Sequence, residues 1–154
     1  MAILEAIIMN LTRCTGRTHK RLIREKASIK WIFMAKIVMR KDAPRLETVK
    51  GRHGEILIAG DQCMMMINTI EPNLPTPPHS HPHEQIGYLQ EGEGDLYIGE
   101  EKIHIKAQCS FVAPGGVPHN FDATGNKPAV LIECFAPPRE DYLERVAKDA
   151  KKKK

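Results

Sequence analysis

Between Met34 and Phe135 the chain reads as short apolar runs of strand length, each closed by glycine, proline or a polar turn. That punctuation constrains the fold more than any other feature. Glu55–Ala59 lies between Gly54 and Gly60-Asp61, and Gln62–Ile70 forms the next run. In it Met64, Met66 and Asn68 share one face, and Cys63, Met65, Ile67 and Thr69 share the other. A proline-rich stretch, Pro72 to Pro78, follows. Ile86–Gln90, Asp95–Ile98, Lys102–Lys106, Ser110–Ala113, His119–Asp122 and Ala129–Phe135 come next, with glycines at most of the turns. Lys102–Lys106 alternates polar and apolar, as a half-buried antiparallel strand does. Many short strands at near-even spacing predict an all-β sandwich or barrel. One helix is expected after Pro137-Pro138, over Glu140–Lys148, with Tyr142, Leu143 and Val146 on one side.

The 154 residues suit one domain, and a domain of that length buries a core without disulfides. The net charge of +4 is unevenly spread. Residues 1–33 carry seven Lys/Arg against two acids, and the last ten carry six against one. The expected organisation is a basic N-terminal extension over 1–33, a folded domain over 34–144 and a Lys-rich tail over 145–154. The tail reads as a solvated terminus, so no specific nucleic-acid or membrane partner is expected. Cys14, Cys63, Cys109 and Cys134 show no metal-clip spacing and no disulfide framework. Cys63 and Cys134 lie in apolar runs and read as small core residues. The apolar start, Ala2 to Met9, is too short for a membrane span and lacks signal-peptide features, so the expected location is cytoplasmic.

Four of the seven histidines fall in two short segments. The first is Pro78-His79-Ser80-His81-Pro82-His83-Glu84-Gln85; the second is Pro114-Gly115-Gly116-Val117-Pro118-His119. His79 and His81 are two apart, so on a strand both imidazoles leave the same face. Gln85 and His119 can complete a ligand set if the fold brings the segments together. His83 is expected to stand outside that set, because Pro82 interrupts the strand. Glu84 should point away from Gln85, and is the reserve oxygen ligand. His104, on an alternating strand, is expected to be exposed or paired across the sheet.

These segments resemble the cupin family. Its first motif, His-x-His, then Glu or Gln, then Gly, is matched by His79, His81, Gln85 and Gly92. Its second, Pro-x-Gly-x-x-His, is matched by Pro114, Gly116 and His119. Gln85 stands where Glu is usual, Gln108 where the second motif often starts with Gly, and Ala123 where it often ends with Asn. The resemblance covers residues 45–140. It implies a single jelly-roll barrel and one divalent transition metal (Zn, Ni, Mn, Fe, Cu or Co) held by His79, His81, Gln85 and His119. Three imidazoles and an amide oxygen suit any of these ions.

A narrower resemblance concerns activity. The run His79–Tyr88 and the segment Glu133–Tyr142 are similar to small cupins of pectin and alginate breakdown, which ketonise 4,5-unsaturated uronates. Their pocket carries an acid, an aromatic and an arginine at the spacing of Glu133, Phe135 and Arg139. The resemblance implies a carboxylate-bearing small substrate anchored by Arg139, with Glu133 moving a proton. The competing reading pairs Arg139 with Asp141 or Glu140 and leaves Phe135 in the core. A metal-dependent dioxygenase of a phenolic or dicarbonyl substrate, and a non-catalytic ligand-binding cupin, are the alternatives. Apolar residues before Pro44 (Trp31, Ile32, Phe33, Ile37, Val38) point to a homodimer.

Overall fold

Among the described residues the chain forms nine strands and one α-helix. The computed structural model describes residues 36–152. The basic segment 1–33, with Trp31, Ile32 and Phe33, lies outside the described residues, as do Cys14 and Lys153-Lys154. The chain divides into two units, Met1–Asp42 and Ala43–Lys154. The described part of the first holds one 3-10 turn, Arg40–Asp42.

In the second unit the strands are β1 (Arg45–Val49), β2 (Arg52–Ala59), β3 (Met64–Ile70), β4 (Glu84–Glu91) and β5 (Glu93–Ile98). They continue with β6 (Glu101–Lys106), β7 (Cys109–Ala113), β8 (His119–Thr124) and β9 (Ala129–Ala136), and the helix α1 (Glu140–Lys152) closes the unit. Six strands form one sheet in the order β1-β2-β3-β9-β4-β7, and three form the other in the order β6-β5-β8. Every pairing is antiparallel. This is the expected all-β architecture of the jelly-roll class. No helix among the described residues is long and apolar enough to cross a membrane.

Two apolar clusters hold the unit together. Ile70, Leu89, Ala129 and Leu131 of the larger sheet meet Leu96, Phe121 and Ala123 of the smaller. Leu46, Ile56, Met64, Met66 and Phe135 form the second cluster, covered by Tyr142, Leu143 and Val146 of α1. A fully buried leucine contributes about 1.5–3 kcal/mol, and Leu89 and Leu131 have no exposed surface. Between the clusters the inward row turns polar. On β9, Ala129, Leu131, Glu133 and Phe135 all face in, and Glu133 alone is charged. Asn68 does the same on β3, Arg52 on β2 and Gln85 on β4.

Several sequence expectations are corrected. Strand β1 was not anticipated, because only Leu46 of its five residues is buried. Strand β2 starts at Arg52 rather than Glu55, since Gly54 sits inside the ladder opposite Asn68 instead of ending it. Strand β3 starts at Met64, and Cys63 is exposed in the preceding turn. Cys134 is only partly buried, because it faces outward while Glu133 faces in. Helix α1 runs one turn beyond Lys148, to Lys152. His104 pairs across the sheet, its ring Nδ1 2.9 Å from Asp95 Oδ1.

Candidate metal centre

Two loops and two strands bring the histidines together. His79 and His81 do not lie on a regular strand: prolines 78 and 82 remove ladder donors on either side. His79 instead makes one bridge to His119, with main-chain bonds of 3.1 and 2.9 Å. The second loop closes on the first through Gly116 N–H, which donates to His81 O at 2.8 Å. A Cβ on Gly115 would stand 2.3 Å from Pro82 O, and Gly116 has φ +80°. Both positions therefore require glycine for the loops to touch.

The ring nitrogens of His79, His81 and His119 lie within 4.8 Å of one another. Gln85 joins them: its Oε1 is 3.2 Å from His81 Nε2 and 3.1 Å from His119 Nε2. The outer nitrogens fix the tautomers. His81 Nδ1–H donates to His83 O at 3.1 Å, and His119 Nδ1–H donates to Val117 O at 2.8 Å. A carbonyl only accepts, so a neutral ring bonded this way carries its lone pair on Nε2. Burial above all, helped for His79 by His119 and for His81 by Arg139, lowers both pKa values to about 4. Two imidazole lone pairs and an amide oxygen thus converge without a proton among them. That donor set suits a divalent transition cation and is unfavourable without one.

Glu133 orients the amide. It is 2% exposed, and burial raises its carboxyl pKa. Oε1 accepts from Gln85 Nε2 at 2.7 Å, and Oε2 accepts from Asn68 Nδ2. An unpartnered buried carboxylate costs several kcal/mol, so these two donors are what let it sit there.

The cluster opens into a cavity of about 290 Å³ whose walls include His79, Gln85, Glu133, Phe135, Arg139, Asp141 and Tyr142. Arg139 stacks on Tyr142, its guanidinium carbon 4.1 Å from the ring centre, with Phe135 at 5.6 Å. Its Nε and Nη2 bond Asp141 at 2.8 and 2.7 Å, and buried Nη1 has no hydrogen-bond partner. The cavity reading and the ion-pair reading of Arg139 therefore both describe this side chain. Phe135 is both a core residue and a cavity wall. His83 is buried outside the cluster, 3.4 Å from Glu140 Oε2, and Glu84 is exposed on the opposite face from Gln85.

Sequence reasoning missed Arg52, Asn68, Thr76 and Asn120. Arg52 Nη2 donates to Phe121 O at 2.7 Å, and Thr76 Oγ1 donates to Asn120 Oδ1 at 2.6 Å. Asn68 left a signal, as a polar residue on the face of Met64 and Met66.

Residues 66–135 match the family of cupin domains. Over that part the barrel is similar to cupins. Among curated proteins, it is 33% identical over 61 residues to an uncharacterized protein of Methanocaldococcus jannaschii, covering 39% of this chain and 49% of that one. It is 28% identical over 103 residues to the pectin degradation protein KdgF of Dickeya dadantii, covering 66% of this chain and 93% of that one. The chain spans 49% and 37% of the length of the first two curated relatives it matches. Among solved structures, an RmlC-like cupin from Shewanella frigidimarina superposes with a TM-score of 0.64 at 22% identity, over 70% of this chain and 96% of that one. KdgF from Halomonas sp. superposes with a TM-score of 0.62 at 23% identity, over 70% and 99%. At these identities the structural likeness speaks for the fold.

Proposed function

We propose that this protein is a metal-dependent enzyme acting on a small sugar acid, and that its reaction is the ketonisation of an unsaturated uronate. The observation that carries the reading is the convergence of His79, His81, His119 and Gln85 Oε1 beside a cavity that His79 and Gln85 line together with Arg139 and Glu133. A divalent ion held by those four residues supplies a Lewis acid for a substrate oxygen. Arg139 offers Nη1 to a carboxylate while Asp141 and Tyr142 fix its plane. Glu133 moves the proton: burial raises its pKa toward the range where it exchanges one. The pectin degradation protein among its relatives supports the substrate class.

The test is metal analysis of purified protein followed by turnover of 4,5-unsaturated uronates with and without oxygen. About one divalent ion per chain is expected, lost in His81→Ala, with oxygen-independent turnover. Oxygen uptake with a phenolic substrate and none with uronates would replace this reading by the dioxygenase one. Pairing of two barrels belongs to the same proposal. Ile86 and Val112, cross-strand partners on the outer sheet face, are about half exposed, and Tyr88 lies beside them. Sedimentation as a monomer at micromolar concentration would remove that part.

A further inference from the structure

The proposed function uses one arginine of the cavity, yet a second is buried in the same wall. Arg52 is 8% exposed and lines the cavity with Arg139. Its hydrogen bonds go to neutral oxygens: Nη2 donates to Phe121 O at 2.7 Å and to Asn120 Oδ1 at 3.5 Å. Its Nε is buried with no hydrogen-bond partner, as is Nη1 of Arg139. A buried N–H of a cation left unbonded is costly, and an anionic ligand removes that cost.

The two arginines enter from opposite ends of one strand. Arg52 is paired with Ile70, the last residue of β3. The Arg139 main-chain N–H donates to the sulfur of Met64, its first residue. Six residues of strand separate those anchor points, roughly 20 Å at strand rise. Both side chains nevertheless reach the cavity that contains Glu133, which is paired with Met66 between them. The charges of both act on Glu133 and on His79, that of Arg52 more strongly in each case. Beside Glu133 and Asp141, the cavity wall carries Arg52, Arg139 and Arg145, an excess of positive charge when both acids are ionised.

We propose that Arg52 is a second anion anchor, and that the ligand is a small sugar diacid with one carboxylate on Arg139 and the other on Arg52. This rests on the sugar-acid part of the proposed function, not on ketonisation, and takes that acid to be oxidised at both ends. Phe121 O and Asn120 Oδ1 hold Nη2, the nitrogen beside Nε, and Nε–H itself has no hydrogen-bond partner. A charged guanidinium N–H bonds a carboxylate oxygen more strongly than a hydroxyl.

The experiment is calorimetric titration of the full-length, metal-loaded protein with D-glucarate, D-glucuronate and D-glucose. Glucarate is expected to bind at least tenfold tighter than glucuronate, and glucose not measurably. Arg52→Met, which keeps the apolar stem, should bring the glucarate-to-glucuronate affinity ratio close to one. Arg52→Lys should recover part of it. Thermal melting and metal content are read on each variant. If Arg52 serves only to balance Glu133, Arg52→Met lowers melting temperature or metal content and leaves the ratio unchanged, which overturns the proposal. Wild-type protein that holds metal and binds glucuronate without preferring glucarate also overturns it, while the sugar-acid reading stands. Protein that holds no metal and binds neither acid sinks both.

Discussion

The side-chain amide of Gln85 donates from Nε2 to Glu133 Oε1 at 2.7 Å, and this bond decides which end of the amide faces the histidines. With the nitrogen committed to Glu133, Oε1 is left between His81 and His119. The oxygen of the cluster is thus set by a carboxylate on the neighbouring strand, two residues out of register with it.

Replacing Gln85 by Glu, the commoner residue at this motif position, should place two carboxyls in contact. They would share one proton, and one pKa would rise. A raised folded pKa gives stability that is present at low pH and lost as pH rises through it. Metal-free Gln85→Glu should therefore lose about 1–3 kcal/mol relative to wild type at pH 8 and less at pH 5. Urea unfolding at the two pH values measures this; equal losses at both would refute it.

Glu133→Gln should weaken metal retention as well as turnover. Gln85 Nε2 and Asn68 Nδ2 both donate to the carboxylate, and an amide can accept from only one of them without presenting its own N–H to the other. Gln85 or Asn68 must then turn away. Competition with a chelator should show metal released about tenfold more readily, in keeping with the loss of one outer contact. Unchanged metal affinity with abolished turnover would mean that Glu133 does not orient Gln85.

In the metal-free protein the site histidines should cost stability on acidification. His79 and His81 titrate at about 4 when folded, against an ordinary 6.5. Depressed values mean that the unfolded chain binds these protons first, so the contribution is complete above pH 6.5 and falls away toward pH 4. Glu133 has the opposite sign, because burial raises its pKa and favours the folded state at lower pH. The wild-type urea midpoint should therefore fall more between pH 6.5 and 4 than that of His81→Gln, which keeps the acid and lacks one of the two imidazoles. A variant midpoint that falls as far as the wild-type one is the contrary result.

Arg139→Lys keeps a cation but loses the paired bonds to Asp141 and the stacking on Tyr142. KM for a carboxylate substrate should rise by about tenfold or more, the worth of a charged hydrogen bond, with metal content unchanged. Normal kinetics would reduce Arg139 to a helix-start ion pair.

Gln108 has φ +74° in the tight turn before β7, its N–H bonded to Leu89 O at 2.7 Å. A residue with a Cβ is strained there by about 1 kcal/mol. Gln108→Gly should raise the unfolding free energy by up to that amount, read from chemical denaturation. A loss of stability would show that the side chain contributes more than the strain.

The site was legible where its chemistry is sequential. His79, His81, Gln85 and His119 were marked by type and spacing, and Glu133, Phe135 and Arg139 by the resemblance of their segment. Arg52 was hidden because a glycine two residues on was read as a turn, although Gly54 fills a ladder position against Asn68 and leaves room for Met66. Thr76 and Asn120 act only through the contact between the proline-rich stretch and β8, which no local pattern announces. Cys134 misled because an apolar run in a sheet with one buried face still turns half of its side chains outward, and Cys63 because its run enters the sheet only at Met64.

Strand β9 lies between β3 and β4, hydrogen-bonded along both edges. Strand β6, by contrast, is an open margin of the smaller sheet. Each amide proton of β9 is held by one of its two neighbours, β3 or β4, and reaches solvent only when that inner strand lets go, an event close to global unfolding. Deuterium should accordingly enter β6 long before β9. The carboxylate at the heart of the site is mounted on a strand expected to open among the last, so whatever flexibility ligand entry demands must come from the loops and the helix around it.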